Sequence, residues 1–362
     1  MASTQAQADG APPRPGDDRL RRLPAWQRFL SKPAAGAAII AVFVWVVFVV
    51  IAASRGNFVF LGLDGTLGYV DVAAQVGIIG TAVALLMIAG EFDLSVGSLV
   101  GFAGIVIGIP VTEAGLPVWM AILISMVLTT CLGAINGIIV VRTGLPSFIV
   151  TLATLFIIRG ATQALTAEIT NITFIPIDKT LVAADPIAWL FNWSYSLVIG
   201  DQHGEIMASM FWWVLLAAVG AYILSRTRFG NWIAGVGGSA SAARNLGVPV
   251  ARVKIVLFMG TAFSASVLAT VQSMTFFSAD VLRGRGIELD AITTSVIGGT
   301  LLTGGYGSVV GTAIGALALG MARIGIVFSD INADWYLVAI GTLLLVAVVL
   351  NNWIRRRFAG LS

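Results

Sequence analysis

The sequence predicts an all-α polytopic membrane protein with about ten transmembrane helices, and three observations carry that prediction. The 362 residues are 58% hydrophobic and only 11% charged, whereas an ordinary soluble domain carries about 25% charged residues. Uncharged runs such as 94–111 recur along the chain, each near the roughly 20 residues that a helix needs to cross a bilayer. Basic residues gather in alternate connections between these runs, as they do on the cytoplasmic side of membrane proteins.

Taken in order, residues 1–33 are rich in Ala, Pro, Asp and Arg and have no apolar period, so they read as a disordered cytoplasmic tail. They do not read as a signal peptide, because the polar stretch is too long and the run 34–53 behind it spans the membrane uncleaved. Spans are expected near 34–53, 70–90, 95–112, 117–141, 146–165, 206–225, 254–276, 290–303, 307–328 and 335–353. The uncharged stretch 291–322 is too long for one helix. Gly298-Gly299-Thr300 and Gly304-Gly305-Tyr306-Gly307 offer the break, which leaves a short eighth span. The transmembrane domain therefore covers 34–353, with a cytoplasmic tail at 354–362.

With both termini cytoplasmic, the inner side receives 15 of the 21 Lys and Arg residues, among them Arg142, Arg226, Arg228, Arg244, Arg252 and Lys254. Only Arg55, Lys179, Arg283 and Arg285 fall outside, while Arg159 and Arg323 lie within spans. The net charge of +3 thus reflects topology and calls for no nucleic-acid partner. A lone cysteine, Cys131, and a lone histidine, His203, leave no thiolate cluster and no His-rich metal site, so no metal or cofactor is expected.

Two acids, Glu91 and Asp93, interrupt an otherwise apolar region at the start of the third span. A carboxylate at bilayer depth costs about 2.5–3.5 kcal/mol on insertion scales, which makes it a functional candidate. Glu288 and Asp290 stand in the same way at the start of the eighth span. Spans two to five and seven to ten match in order, and the odd number of crossings between mates would make them an inverted repeat, a common transporter plan.

No Walker A loop is present, since Lys32, Lys179 and Lys254 all lack the glycine-rich run before them. The chain therefore needs a partner that splits ATP, or an ion gradient. The longest basic inner loop, 226–254, favours a partner. Ser239 can cap a short helix, Gly247 can end it in the left-handed conformation, and Pro249 forbids its continuation, leaving Arg244 projecting. A helical connector with no partner is the plain alternative.

Gly90-Glu91-Phe92-Asp93-Leu94-Ser95-Val96-Gly97-Ser98 resembles the "GGIDLSVGS" signature of the ribose-type sugar permeases of bacterial ABC importers. Leu145 to Leu152 with Arg159-Gly160 is similar to that family's fifth span, and Gly237 to Gly247 to its coupling loop. Glu288 to Ile292, Ile297 to Thr300 and Gly304 to Ser308 resemble its C-terminal signature. Glu91-Phe92 in place of Gly-Ile, and Ser239 in place of the frequent Asn, depart from the pattern.

The resemblance implies a type II ABC importer permease in the bacterial inner membrane, working as a homodimer or heterodimer with an ABC ATPase and a periplasmic substrate-binding protein. Its cargo would be a monosaccharide or related polyol. Gly238, Ser239, Ala243, Arg244 and Gly247 would form the coupling helix on the ATPase. Asp93, Ser95, Asn136, Arg159, Glu288 and Asp290 are the residues of the path or of the structural signature.

Asp93 is expected to cap the third span and Glu91 to face cytoplasmic water. Arg159 should pair with Glu168, Glu288 or Asp290, and Arg323 should snorkel or meet Asp330. The rival reading is an ion-coupled secondary transporter in which Asp93, Glu288 and Asp290 relay protons.

Overall fold

The computed structural model describes residues 34–358. The expected tail at 1–33 and the last four residues of the expected tail at 354–362 lie outside them. Four long helices come first after α1 (Ala34–Arg55): α2 (Leu63–Ile88), α3 (Val96–Glu113), α4 (Val118–Thr143) and α5 (Ser147–Thr170). An excursion of short elements follows, namely β1 (Phe174–Pro176), α6 (Lys179–Ala184), α7 (Pro186–Asn192), β2 (Ser194–Ile199) and β3 (Gln202–Met207).

The chain then returns through α8 (Ala208–Arg226) to two short helices, α9 (Arg228–Gly238) and α10 (Ala240–Asn245). It ends with α11 (Val250–Thr275), β4 (Ser278–Asp280), α12 (Ile287–Ile297), α13 (Val309–Phe328) and α14 (Trp335–Phe358). Among the described residues, nine helices are long and apolar enough to cross a membrane. The eleven-residue α12 is the short eighth span. The helix α14 runs on to Phe358, so the backbone stays helical past the expected boundary at 353.

The bundle has two distinct ends. The β2–β3 hairpin, the start of α2 and the close of α1 mark one, since Gly204 packs on Leu63 and Leu67. The helices α9 and α10 mark the other, together with Ala34 and the close of α14. Both ends of the described chain therefore lie on the α9–α10 side, as an even number of crossings requires.

The packing reproduces the repeat suspected from the sequence. The helix α2 packs on α13 and on α12, while α11 packs on α4 and on α3. The pairs α3–α4 and α3–α5 have mates in α12–α13 and α12–α14. Exchanging α2–α5 for α11–α14 leaves these neighbours unchanged. The core runs through α2, α3, α11 and α13, whereas α5, α8 and α14 present most of their surface outward.

One close approach sets the geometry of the centre. Gly97, Gly101, Gly104 and Gly108 lie along one side of α3; a Cβ could not enter at Gly97 or Gly101 and would be tightly crowded at Gly104 and Gly108. Their neighbours are Glu288 and Gly284, then Val281 and Arg283, then Ser273, then Ala279 and Ile175. The segment from β4 to the start of α12 thus descends antiparallel along α3 into the bundle. Its strand β4 pairs antiparallel with β1, Ile175 facing Ala279. The apolar-run reading did not reveal this re-entrant segment, because it is neither long nor uniformly apolar.

Candidate functional site

The connection from α2 to α3 turns at Gly90, whose φ of +84° suits a residue without a side chain. The hydroxyls of α5 then fix the chain: Phe92 N–H donates to Ser147 Oγ at 3.0 Å and Leu94 N–H to Thr151 Oγ1 at 3.1 Å. Asp93 is fully buried behind them. Its Oδ1 accepts from Ser95 N–H at 2.9 Å and from Ser95 Oγ–H at 2.6 Å, and its Oδ2 accepts from Thr261 Oγ1–H at 2.6 Å.

Asn136 Nδ2 donates to Ser95 Oγ at 2.9 Å and completes the cage. The carboxylate therefore accepts at the N-terminus of α3 and ties α3, α4 and α11 together. Such a buried acid is stabilised by its donors, each bond being worth about 0.5–1.5 kcal/mol net. Asp93 thus holds the amide of Ser95, the residue that opens α3, and Asn136 serves a contact between helices.

Glu91 departs from expectation. It is buried rather than open to water, and it forms an ion pair with Lys254 near the start of α11. The cause is the turn at Gly90, which points the residue along α11 instead of out of the bundle. Glu288 is buried as well, with Oε1 at 3.6 Å from Arg159 Nη2 and Oε2 accepting from Gly286 N–H at 3.1 Å. Of the three partners considered for Arg159, Glu288 is the one it meets. Each half's signature glutamate is thus neutralised by a base from the other half.

Asp290 sits two residues on, in the first turn of α12, with Arg323 within electrostatic reach. Arg323 also lies over the Tyr336 ring at 5.1 Å. It faces Asp290 and Tyr336 rather than Asp330, because α12 and α14 pack on the same side of α13. Gln75 and Gln272 meet each other: Gln272 Nε2 donates to Gln75 Oε1 at 2.9 Å. Gln75 Nε2 in turn donates to Asp71 at 2.9 Å.

The connection at 226–254 folds into α9 and α10 before α11 begins. Thr227 caps α9 by accepting from Gly230 N–H at 3.1 Å, and Ser239 caps α10 by accepting from Ala242 N–H at 3.3 Å. Ile233 and Val236 anchor α9, and Ala243 anchors α10. Gly247 adopts φ +82° and ends the turn as expected. Arg244 and Gly238 are exposed. Leu246, which the sequence reading passed over, is 85% exposed at the tip. Its signal was a large apolar residue just before the left-handed glycine, in a segment otherwise made of small ones.

This loop meets both repeats at once. Gly237 fills the narrow space beside Ile88 O and Gly305 N, and Gly305 N–H donates to Ile88 O at 2.8 Å. A Cβ on Gly304 would stand 2.8 Å from Gly90 Cα, and one on Gly305 3.0 Å from Gly238 Cα. The break after α2, the break after α12 and the end of α9 therefore touch backbone to backbone. Displacement of α9 must displace both breaks, since no side chain lies between them to yield.

A multi-crossing bundle with two opposed halves, and a loop abutting the break in each, is the architecture of a membrane permease. Residues 65–348 match the family described as the permease component of the branched-chain amino acid transport system. The inner membrane ABC transporter permease protein YjfF of Escherichia coli strain K12 is 32% identical over 280 residues, 77% of this chain and 81% of that protein.

The fructose import permease protein FruG of Bifidobacterium longum strain NCC 2705 is 30% identical over 313 residues, 86% of this chain and 89% of its own length. The ribose import permease protein RbsC of Escherichia coli strain K12 is 31% identical over 280 residues, 76% of this chain and 81% of that protein. No solved structure matches the chain. The chain belongs to this ABC transporter permease family, as a multi-pass subunit of the inner membrane.

Proposed function

We propose that this chain is the permease subunit of an ATP-driven importer for a monosaccharide or a related polyol. It would act in a homodimer or heterodimer, surrounded by membrane lipid, with an ABC ATPase below it and a periplasmic substrate-binding protein above it. The α9–α10 end and both termini face the cytoplasm, in keeping with Arg142, Arg226, Arg228, Arg244, Arg252 and Lys254 at that end. The observation that carries the reading is the backbone junction of Gly90, Gly237 and Gly304. It supplies a direct route from a loop at one face to both repeats.

In this reading Gly238, Ser239, Ala243, Arg244 and Gly247 shape the coupling helix, with Arg244 and Leu246 as its contacts on the ATPase. Closure of the ATPases on ATP moves that helix, the junction moves both breaks, and the bundle exchanges inward and outward access. Asp93, Ser95 and Asn136 hold the inner break as one unit, and Arg159 with Glu288 holds the re-entrant segment. The import names of FruG and RbsC support a sugar as cargo.

The test is reconstitution of the chain with its ATPase and binding protein in proteoliposomes, followed with labelled ribose and labelled fructose. Uptake of at least one sugar is expected, dependent on ATP and on every component. Uptake at full rate without the ATPase, or on a proton gradient alone, would overturn the reading in favour of the secondary carrier.

A further inference from the structure

We propose that the subunit owns a weak monosaccharide site of its own, in the cavity between the close of α11, the re-entrant segment, α13 and α14. The inference rests on the importer reading above and adds a location to it. The cavity measures about 750 Å³, within the range of roughly 300–1,000 Å³ that holds small ligands. Its wall includes Gln272, Phe276, Asp290, Arg323 and Tyr336.

A monosaccharide presents an apolar face of C–H groups and a rim of hydroxyls, each of which both donates and accepts. The wall offers partners for both. Phe276 is 56% exposed with the Arg283 guanidinium over its ring at 5.4 Å, which leaves the other side of the ring to a ligand, and Tyr336 adds a second ring. Rings of this kind take the apolar face, and a tyrosine also carries a polar handle.

Two polar atoms at the wall have hydrogen-bonding capacity to spare. Gln272 Oε1 is buried without a hydrogen bond, and the Tyr336 hydroxyl, with Arg323 beside it, is in no hydrogen bond of normal geometry. Buried polar atoms left unpaired carry a free-energy penalty that a ligand hydroxyl relieves. Asp290 sharpens the point. Its repeat mate Asp93 accepts three hydrogen bonds, whereas the Asp290 carboxylate accepts none among the described residues.

Most of the charge at the wall is matched, and Arg285 at the exposed rim is the cation left over. Asp290 stands against Arg323. Arg283 is occupied by Ser278, with Nη1 donating to its carbonyl at 2.5 Å and Nη2 to its Oγ at 2.9 Å, and Asp280 lies near. Arg285 is exposed. A second, smaller cavity shares Gln272 and Phe276 and reaches Asp71 and Gln75, so amides and a carboxylate continue the polar surface beyond the first.

The experiment places F276C in a C131S background of the permease in lipid nanodiscs, where both faces are accessible, without ATP or binding protein. Labelling by a polar maleimide is timed alone and with excess ribose, fructose, sucrose or glycerol phosphate. Ribose or fructose is expected to slow labelling several-fold, and sucrose, as a disaccharide, to slow it less. Equal rates in every condition overturn the site. Slowing by glycerol phosphate alone also overturns it, in favour of a lipid headgroup.

Should F276C fail to assemble, L337C on the opposite wall gives the same reading, its parent side chain being 76% exposed. Uptake by a Y336F transporter adds a second readout. Its KM is expected to rise about tenfold with maximal rate kept, the pattern of lost substrate binding. Protection without ATP-driven uptake would sink the importer reading and keep the site. Uptake without protection would do the reverse.

Discussion

Glu91 and Lys254 form an ion pair across the two halves of the molecule, joining the break after α2 to the start of α11. Its counterpart is the pair of Glu288 with Arg159, which joins the start of α12 back to α5. The inverted repeat is therefore stitched by charge as well as by packing. A charge in such a place is costly alone and tolerable when matched.

That relationship predicts non-additive substitutions. E91Q and K254M should each destabilise the permease in detergent or nanodiscs, while the double variant should recover part of the loss. The coupling energy expected from a double-mutant cycle on thermal or denaturant unfolding is about 0.5–3 kcal/mol. Strict additivity would show that the pair contributes nothing.

The second pair predicts a charge-reversal rescue. R159E should place two acids together beside α3 and strongly reduce folded yield, whereas R159E with E288R should restore a measurable part of it. Removing one partner of a buried pair costs about 3–5 kcal/mol, and the 3.6 Å separation with 22% exposure of the Arg159 side chain puts this pair toward the lower end. Size-exclusion profiles and melting temperatures of the three variants check the order.

The glycine junction predicts uncoupling. Gly304 adopts φ +78° and its missing Cβ faces Gly90 Cα, so G304V meets both backbone strain and a clash with backbone. The left-handed conformation alone costs a residue with a side chain about 1–2 kcal/mol. In the proposed importer, this variant should keep ATPase binding and lose uptake by about tenfold or more. Normal uptake by folded G304V would remove the junction from the transmission route.

The tip of α10 predicts a partner phenotype. R244E and L246D alter exposed residues, so folding of the permease should be unchanged while co-purification of the ATPase falls sharply. A handful of central contacts carries most interface energy, each worth about 2 kcal/mol or more. ATPase retention equal to that of the unsubstituted chain would assign docking to another surface.

The asymmetry of the two aspartates predicts different consequences of one substitution. D93N leaves Ser95 or Thr261 facing an amide donor in a sealed cage and should lower stability by about 1–3 kcal/mol. D290N alters a carboxylate with no hydrogen bond to lose among the described residues but with Arg323 as its counter-charge, so its loss of stability should be smaller than that of D93N and its main effect should appear in transport kinetics. Equal losses of stability would contradict the contrast between the two environments.

Much of the fold was legible beforehand because bilayer spanning imposes a long apolar period that few soluble sequences carry. The ten expected spans fall on the nine long helices and on α12, and the break at Gly298 to Gly307 lies where glycines interrupt an uncharged run. The cap at Ser239 and the left-handed Gly247 were equally readable, since both depend on residues a few positions apart.

What stayed hidden depends on residues far apart in sequence. Burial of Glu91 against Lys254, the choice of Glu288 for Arg159, and the turn of Arg323 toward Tyr336 follow from which helices are neighbours. The course of 279–288 along the α3 glycines was hidden for the same reason. Hydropathy, charge bias and capping are local or composition-wide properties, so the chain by itself determined its membrane class, its spans and its signature residues. Pairing of charges and the meeting of three glycine turns arise only when distant segments close on one another, and the tertiary structure decided them.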